Sequence, residues 1–161
     1  MLELGCGEGR DCVFFARRGF DVTGIETSAA GLRKAARLAR ERGVEVRWVH
    51  GDMAQPAVHG GFDLVYSCGS IHYVPRRERA GFFARLHGLT RPRGYHPHVV
   101  FTNRLIYVEK GEVIEYFGPG ELVSAYAGWL IREDVQGTIT CAADGTPHRH
   151  SVEQLIARRI G

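Results

Sequence analysis

Met1-Leu2-Glu3-Leu4-Gly5-Cys6-Gly7-Glu8-Gly9-Arg10 decides the fold. Leu2 and Leu4 read as the end of a buried strand. Glycines follow at Gly5, Gly7 and Gly9, and Asp11 to Gly19 then reads as a helix with Val13, Phe14, Phe15 and Ala16 on its apolar side. Strand, glycine-rich turn and helix open a βαβ unit. Glycine lets a ligand lie against the main chain, and the helix start beyond offers free N–H groups to an anionic part of it. The spacing is G-x-G-x-G, whereas the dinucleotide fingerprint is G-x-G-x-x-G.

Working outward, strands and helices alternate. Phe20 to Ile25 reads as a second strand ending at Glu26, and Thr27-Ser28 caps a helix over Ala29 to Arg42, stopped by Gly43. Val44 to Val49 is a third strand, followed by Gly51-Asp52-Met53, and Phe62 to Ser67 is a fourth, ending in Cys68-Gly69-Ser70. Arg76 to Leu89 reads as a helix. Pro92-Arg93-Gly94 breaks the chain before a strand over Tyr95 to Thr102, whose start Pro97 weakens. Residues 103–118 give no clear pattern, although Gly111 suggests a hairpin or loop. A short helix opens at Pro119-Gly120-Glu121 and runs to Ala127. Ile131 to Cys141 and Arg149 to Ala157 read as late strands joined at Asp144-Gly145, a strong hairpin signal. The pattern predicts an α/β, Rossmann-like, doubly wound and mostly parallel sheet with an antiparallel C-terminal hairpin.

With 161 residues, residues 1–161 are expected to form a single domain, and 44% apolar residues fit a globular protein. No apolar run approaches the ~20 residues that span a bilayer, so no membrane association is expected. The chain enters a strand directly, with Glu3 and Glu8 and no leader-like stretch, which points to the cytoplasm and equally to a fragment or a late start. A net charge of +3 is too mild for a nucleic-acid footprint. Arg33, Lys34, Arg37, Arg40 and Arg42 read as a solvated helix face. Cys6, Cys12, Cys68 and Cys141 lack C-x-x-C spacing, so neither a zinc site nor a disulfide framework is signalled.

Ligands of open parallel sheets bind beyond the carboxyl ends of the strands. Glu26, 19 residues after Gly7, ends strand two and can accept from both hydroxyls of a ribose. Asp52 ends strand three and can accept from an exocyclic adenine amine, with Met53 against the ring face. Either acid has a bland alternative, a helix cap for Glu26 and a turn former for Asp52. His148-x-His150 and His96-x-His98 place two rings on one strand face, as a metal site would. No third ligand is evident nearby, so no metal is expected and both pairs read as hydrogen-bonded structural histidines.

Taken together, the glycine turn, Glu26, Asp52 and Phe62-Asp63-Leu64-Val65 resemble the class I S-adenosylmethionine-dependent methyltransferases from residue 1 to about 103. Phe117-Gly118-Pro119-Gly120-Glu121-Leu122, Tyr126-Ala127-Gly128-Trp129 and His148-x-His150 to Arg159 are similar to the tellurite-resistance-type, thiopurine-methyltransferase-like members that act on small molecules. The resemblance implies methyl transfer from S-adenosyl-L-methionine, leaving S-adenosyl-L-homocysteine, to an oxyanion, thiol or small organic acid. It implies that Gly5, Cys6 and Gly7 line the cofactor by backbone and that Glu26 holds the ribose with Thr27 packed beside the adenine. Asp52 and Met53 would contact the base, and Ser67 would lie near the amino-acid end. Arg10 would meet the cofactor carboxylate or be a surface arginine. His72, Tyr73 and Arg104 are the acceptor-side candidates, Arg104 for an anionic acceptor. SN2 transfer from a sulfonium needs mainly alignment and exclusion of water, so no general base is obligatory and the catalytic residue stays unassigned.

Such enzymes usually carry helices before the first strand, and here they are missing. If the chain is a truncation, an open site and weak cofactor affinity are expected, and exposed apolar surface there would drive self-association, so both a monomer and a homodimer stay open. Two other readings stay open: a non-catalytic S-adenosylmethionine-binding module, and a nucleotide-binding oxidoreductase. The latter requires the other glycine spacing and gives Asp52 no role.

Overall fold

The structure, a computed structural model, describes residues 1–107, 113–142 and 145–161. Seven strands form one sheet: β1 (Leu2–Leu4), β2 (Thr23–Glu26), β3 (Arg47–His50), β4 (Phe62–Cys68), β5 (Thr90–Thr102), β6 (Leu130–Cys141) and β7 (His148–Arg158). The helices are α1 (Arg10–Ala16), α2 (Ala29–Glu41), α3 (Arg76–Gly88) and α4 (Glu121–Ser124), with one turn of 3₁₀ helix at Ile71–Tyr73. The order across the sheet is β3-β2-β1-β4-β5-β7-β6. Pairing is parallel from β3 to β5, and β7 runs antiparallel between β5 and β6. The strand order reverses between β1 and β4, and in a doubly wound sheet the crevice at that reversal is where ligands bind.

The expected α/β sheet with its antiparallel end is therefore present. Element ends differ by a few residues, as capping decides them. α2 starts where expected because the Ser28 hydroxyl accepts from the Gly31 N–H at 3.0 Å. One expectation fails. Pro92-Arg93-Gly94 does not interrupt β5; it forms a bulge inside it. Two steps along β4 (Phe62 to Leu64) are matched by five along β5 (Thr90 to Tyr95). Arg93 takes φ +67° there, and the Arg159 N–H donates to the Gly94 carbonyl at 2.8 Å, so the neighbouring chain holds the bulge in the sheet. The Gly111 turn and part of the Asp144-Gly145 turn lie outside the described residues; the strands flanking the latter pair antiparallel from Cys141–His148 onward.

Two apolar layers cover the sheet. The larger buries Leu2, Leu4, Val65, Phe82, Leu86, Val100, Phe117 and Leu155 beneath α3 and α4. The smaller joins Met1, Cys6, Cys12 and Val22 to Phe15, Trp48 and Tyr66 beneath α1 and α2. No helix of the described residues is long and apolar enough to cross a membrane.

Candidate functional site

At the carboxyl ends of the strands lies a pocket of about 530 Å³, within the ordinary range of small-molecule sites. Gly5, Ile25, Glu26, Thr27, Asp52, Met53, Gly69, Ser70, Tyr73 and Glu78 are among its lining residues. The two acids sit on neighbouring strand tips and face the same hollow as Gly5.

Glu26 is held in place before any ligand arrives. Its Oε2 accepts from the Gly7 N–H at 2.9 Å, and its Oε1 accepts from the Ser28 N–H at 2.8 Å and the Thr27 hydroxyl at 3.2 Å. A carboxylate has about four acceptor positions, so one is left over, and rotation of the Thr27 hydroxyl would release another. Asp52 is fixed more lightly, its Oδ1 accepting from the Ala54 N–H at 2.8 Å while the side chain stays exposed. Ser70 donates to the Leu4 carbonyl at 2.6 Å, pinning the loop after β4 onto the tip of β1. Gly5 has φ +67°, and a Cβ there would come within 2.6 Å of the Ser70 Cβ, so both backbone angle and space demand glycine.

The remaining expected site residues divide. Thr27, Met53 and Tyr73 line the pocket. Gly7 reaches the site through its bond to Glu26. At Cys6 the N–H donates to the Ile25 carbonyl at 2.9 Å, and the buried thiol packs into the smaller core beside Cys12 and Gly24. Arg10 is exposed and lines a separate groove with Glu8, Lys34 and Arg37. Ser67 is not among the lining residues. The pleat of β4 turns it, like Val65, toward α3, where its hydroxyl lies 2.6 Å from His98 Nδ1; Ser70, three residues on, lines the pocket instead. His72 is fully buried, with its ring stacked on Phe101 at 4.3 Å and Nδ1 accepting from the Phe101 N–H at 3.3 Å. Burial, then the Arg79 charge, lowers its pKa to about 3, so it is a neutral core residue. Arg104 lies exposed in the turn after β5. That turn is tied by the Asn103 N–H to the Phe117 carbonyl and by the Leu105 N–H to the Ser151 hydroxyl, over β7 rather than over the pocket.

Sequence reasoning missed Ser70 and Glu78. The Cys68-Gly69-Ser70 strand end was the available signal for the first; Glu78, in the first turn of α3, gave none. It also missed Glu3 beneath the glycine turn, only 5% exposed, whose carboxyl burial pushes up to about 7.

With this geometry in view, residues 1–94, more than half the chain, match the family model described as a methyltransferase domain. The chain belongs to the methyltransferase-domain family. An uncharacterized methyltransferase of Mycobacterium tuberculosis is 35% identical over 95 residues, 58% of this chain and 46% of that protein. Among solved structures, TehB from Haemophilus influenzae superposes with a TM-score of 0.86 at 17% identity, over 98% of this chain and 56% of that one. A Burkholderia thailandensis 1,6-didemethyltoxoflavin-N1-methyltransferase, solved with 1,6-didemethyltoxoflavin and S-adenosylhomocysteine, gives 0.76 at 23% identity, over 99% and 70%. The chain spans about half the length of the mycobacterial relative and of TehB. At these identities the structural likenesses establish the fold.

Proposed function

We propose that this methyltransferase domain binds S-adenosyl-L-methionine in the pocket at the β1–β4 strand tips and transfers its methyl group to a small-molecule acceptor. The observation that carries the reading is that Glu26 and Asp52, on adjacent strand ends, face one hollow with Gly5 at its floor. The spare acceptor positions on Glu26 take ribose hydroxyls, Asp52 takes the adenine amine, and Met53 lies against the ring. The chemistry asks for alignment. An acceptor lone pair attacks the sulfonium methyl in line, the carbon–sulfur bond breaks toward sulfur, S-adenosyl-L-homocysteine leaves, and any acceptor proton passes to solvent or a nearby base. Tyr73, Val74, Pro75 and Glu78 line the 3₁₀–α3 side of the pocket, the side on which the acceptor would sit. The acceptor is a small molecule with a soft or deprotonated nucleophile. TehB and a 1,6-didemethyltoxoflavin-N1-methyltransferase share this fold, which leaves oxyanion, thiol, nitrogen and small organic acid acceptors to be distinguished by assay.

Titration calorimetry with S-adenosyl-L-methionine and S-adenosyl-L-homocysteine tests the site. Asp52→Ala is expected to weaken both at least tenfold, the cost of one hydrogen bond to a purine amine and of a charged acceptor. Equal binding by wild type and variant would remove Asp52 from the site. A screen of labelled S-adenosyl-L-methionine against the acceptor classes tests catalysis; binding without transfer to any of them favours the non-catalytic module.

A further inference from the structure

We propose a second site on this domain, a transition-metal site of the zinc class built by Cys141, His148 and His150 at the mouth of the β6–β7 hairpin. Alternation on β7 places His148 and His150 on one face, and the register sets Cys141 of β6 directly opposite His148. One ligand atom from each of the three lies within 4.8 Å of the others. The third ligand that the sequence did not reveal is thus supplied by strand pairing. It lies seven residues before the first histidine, on the other arm of the hairpin.

The rings are aimed, and their aim is fixed by neighbours. Tyr107 stacks on the His148 ring at 3.7 Å, and Phe101 stacks on the His150 ring at 3.9 Å. His148 Nδ1 lies 2.6 Å from the Thr146 carbonyl, which can only accept, so Nδ1 carries the proton and Nε2 presents its lone pair to the cluster. That is the outer-shell arrangement which orients metal-ligating imidazoles. His150 Nε2 lies 2.8 Å from it. Bonds of about 2.0–2.1 Å to nitrogen and about 2.3 Å to sulfur in a tetrahedral shell would place these atoms roughly 3.4–3.6 Å apart. Loading therefore requires the two nitrogens to part by about 0.6 Å and the thiol to close in by up to about 1.2 Å, which side-chain rotation supplies. His150 shifts its ring proton to Nδ1, and the Cys141 thiol releases one proton to solvent as it becomes a ligand.

Thiolate and imidazole ligands select borderline-soft divalent ions over magnesium or calcium. Three protein ligands leave a fourth position for water or a small ligand, as in zinc sites that are not purely structural. The site occupies the same sheet edge as the cofactor pocket. β7 begins where β5 ends, with Ser151 opposite Thr102. The ring series His150–Phe101–His72–Tyr73, the first two contacts stacked and the last tilted, with centroids 3.9, 4.3 and 4.7 Å apart, runs from the metal ligands to the wall of the pocket.

The probe is Co²⁺, titrated into metal-free full chain under reducing conditions. The expected result is saturation at one ion per chain, with a thiolate-to-cobalt charge-transfer band, the intense visible bands of a four-coordinate ion, and displacement by Zn²⁺. Cys141→Ser, at a half-exposed position, should abolish the charge-transfer band, and His148→Gln should weaken cobalt binding at least tenfold. Cys68→Ser, which removes the exposed thiol of β4, should leave the spectrum unchanged, as should Glu26→Ala, which keeps this test separate from cofactor binding. No saturable band, a band that survives Cys141→Ser, or one lost with Cys68→Ser overturns the proposal. If His148→Gln fails to fold by circular dichroism, the Cys141→Ser and Cys68→Ser spectra still decide it.

Discussion

The polar groups of the pocket and those of the core behind it are satisfied in opposite ways. At the pocket, Glu26 rests on two main-chain N–H groups and a rotatable hydroxyl, with acceptor capacity left over. Beneath α3 and α4, a buried chain of side chains has spent every N–H and O–H donor on a partner within the chain or on main chain. Thr90 donates to the Leu86 carbonyl at 2.7 Å, so in its 2.6 Å contact with His96 the Nε2–H must donate to Thr90. His96 Nδ1 then accepts from the Tyr126 hydroxyl at 2.8 Å, Tyr126 accepts from His98 Nε2–H at 2.6 Å, and His98 Nδ1 accepts from Ser67 at 2.6 Å. One fixed donor sets the direction of every proton. The comparison teaches that acceptor capacity left open toward a pocket is what the proposed ligand would use, whereas a chain with every donor spent inside the core has a structural role even where histidines stand two apart.

The largest expected effect sharpens that contrast with acid. Burial lowers the pKa of His98 to about 3 and that of His72 likewise, from an unfolded value of 6.5, and burial also drives His96 down. Below pH 6.5 the unfolded chain binds protons that these folded rings refuse. Stability is therefore full above pH 6.5 and falls by several kcal/mol as pH drops toward 3. Chemical denaturation across that window, with a midpoint that does not move, would break the account. A smaller loss comes from Tyr126→Phe, which orphans the His98 Nε2–H and the His96 Nδ1 acceptor together and should cost about 2–4 kcal/mol. Cofactor affinity should be unchanged, and a calorimetric Kd that moved with it would join the two regions. The smallest effect on stability belongs to Glu26→Ala. Its half-exposed N–H partners regain water, so Tm should shift by only about 2–4 °C. Affinity for S-adenosyl-L-methionine should fall about tenfold to a hundredfold, the cost of lost charge-assisted bonds. A large loss of Tm without loss of affinity would make Glu26 a structural cap.

Much of this was legible because local rules governed it. The glycine turn, the Ser28 cap and the strand-end acids follow from backbone geometry and from the position of carboxyl ends in a parallel sheet. Ser67 and Ser70 show where that legibility stops. Both follow the same strand, and choosing between them required knowing which way the pleat of β4 faces. His72 is adjacent to Tyr73, yet one lies against Phe101 in the core while the other lines the pocket, because a 3₁₀ turn rather than an extended loop carries them. Arg10 and Arg104 show the same limit: adjacency to a motif or a strand end does not fix the direction in which a long side chain leaves.

By itself, the sequence determined the βαβ start, the alternation that builds the sheet, the antiparallel close and the two acids of the pocket, since each depends on residues a few positions apart. Only the tertiary structure decided which histidines meet. His96 finds Tyr126 thirty residues away, and His148 finds Cys141 across the hairpin, through strand order and register. Those quantities are set by packing over the whole sheet, so no local stretch of sequence encodes them.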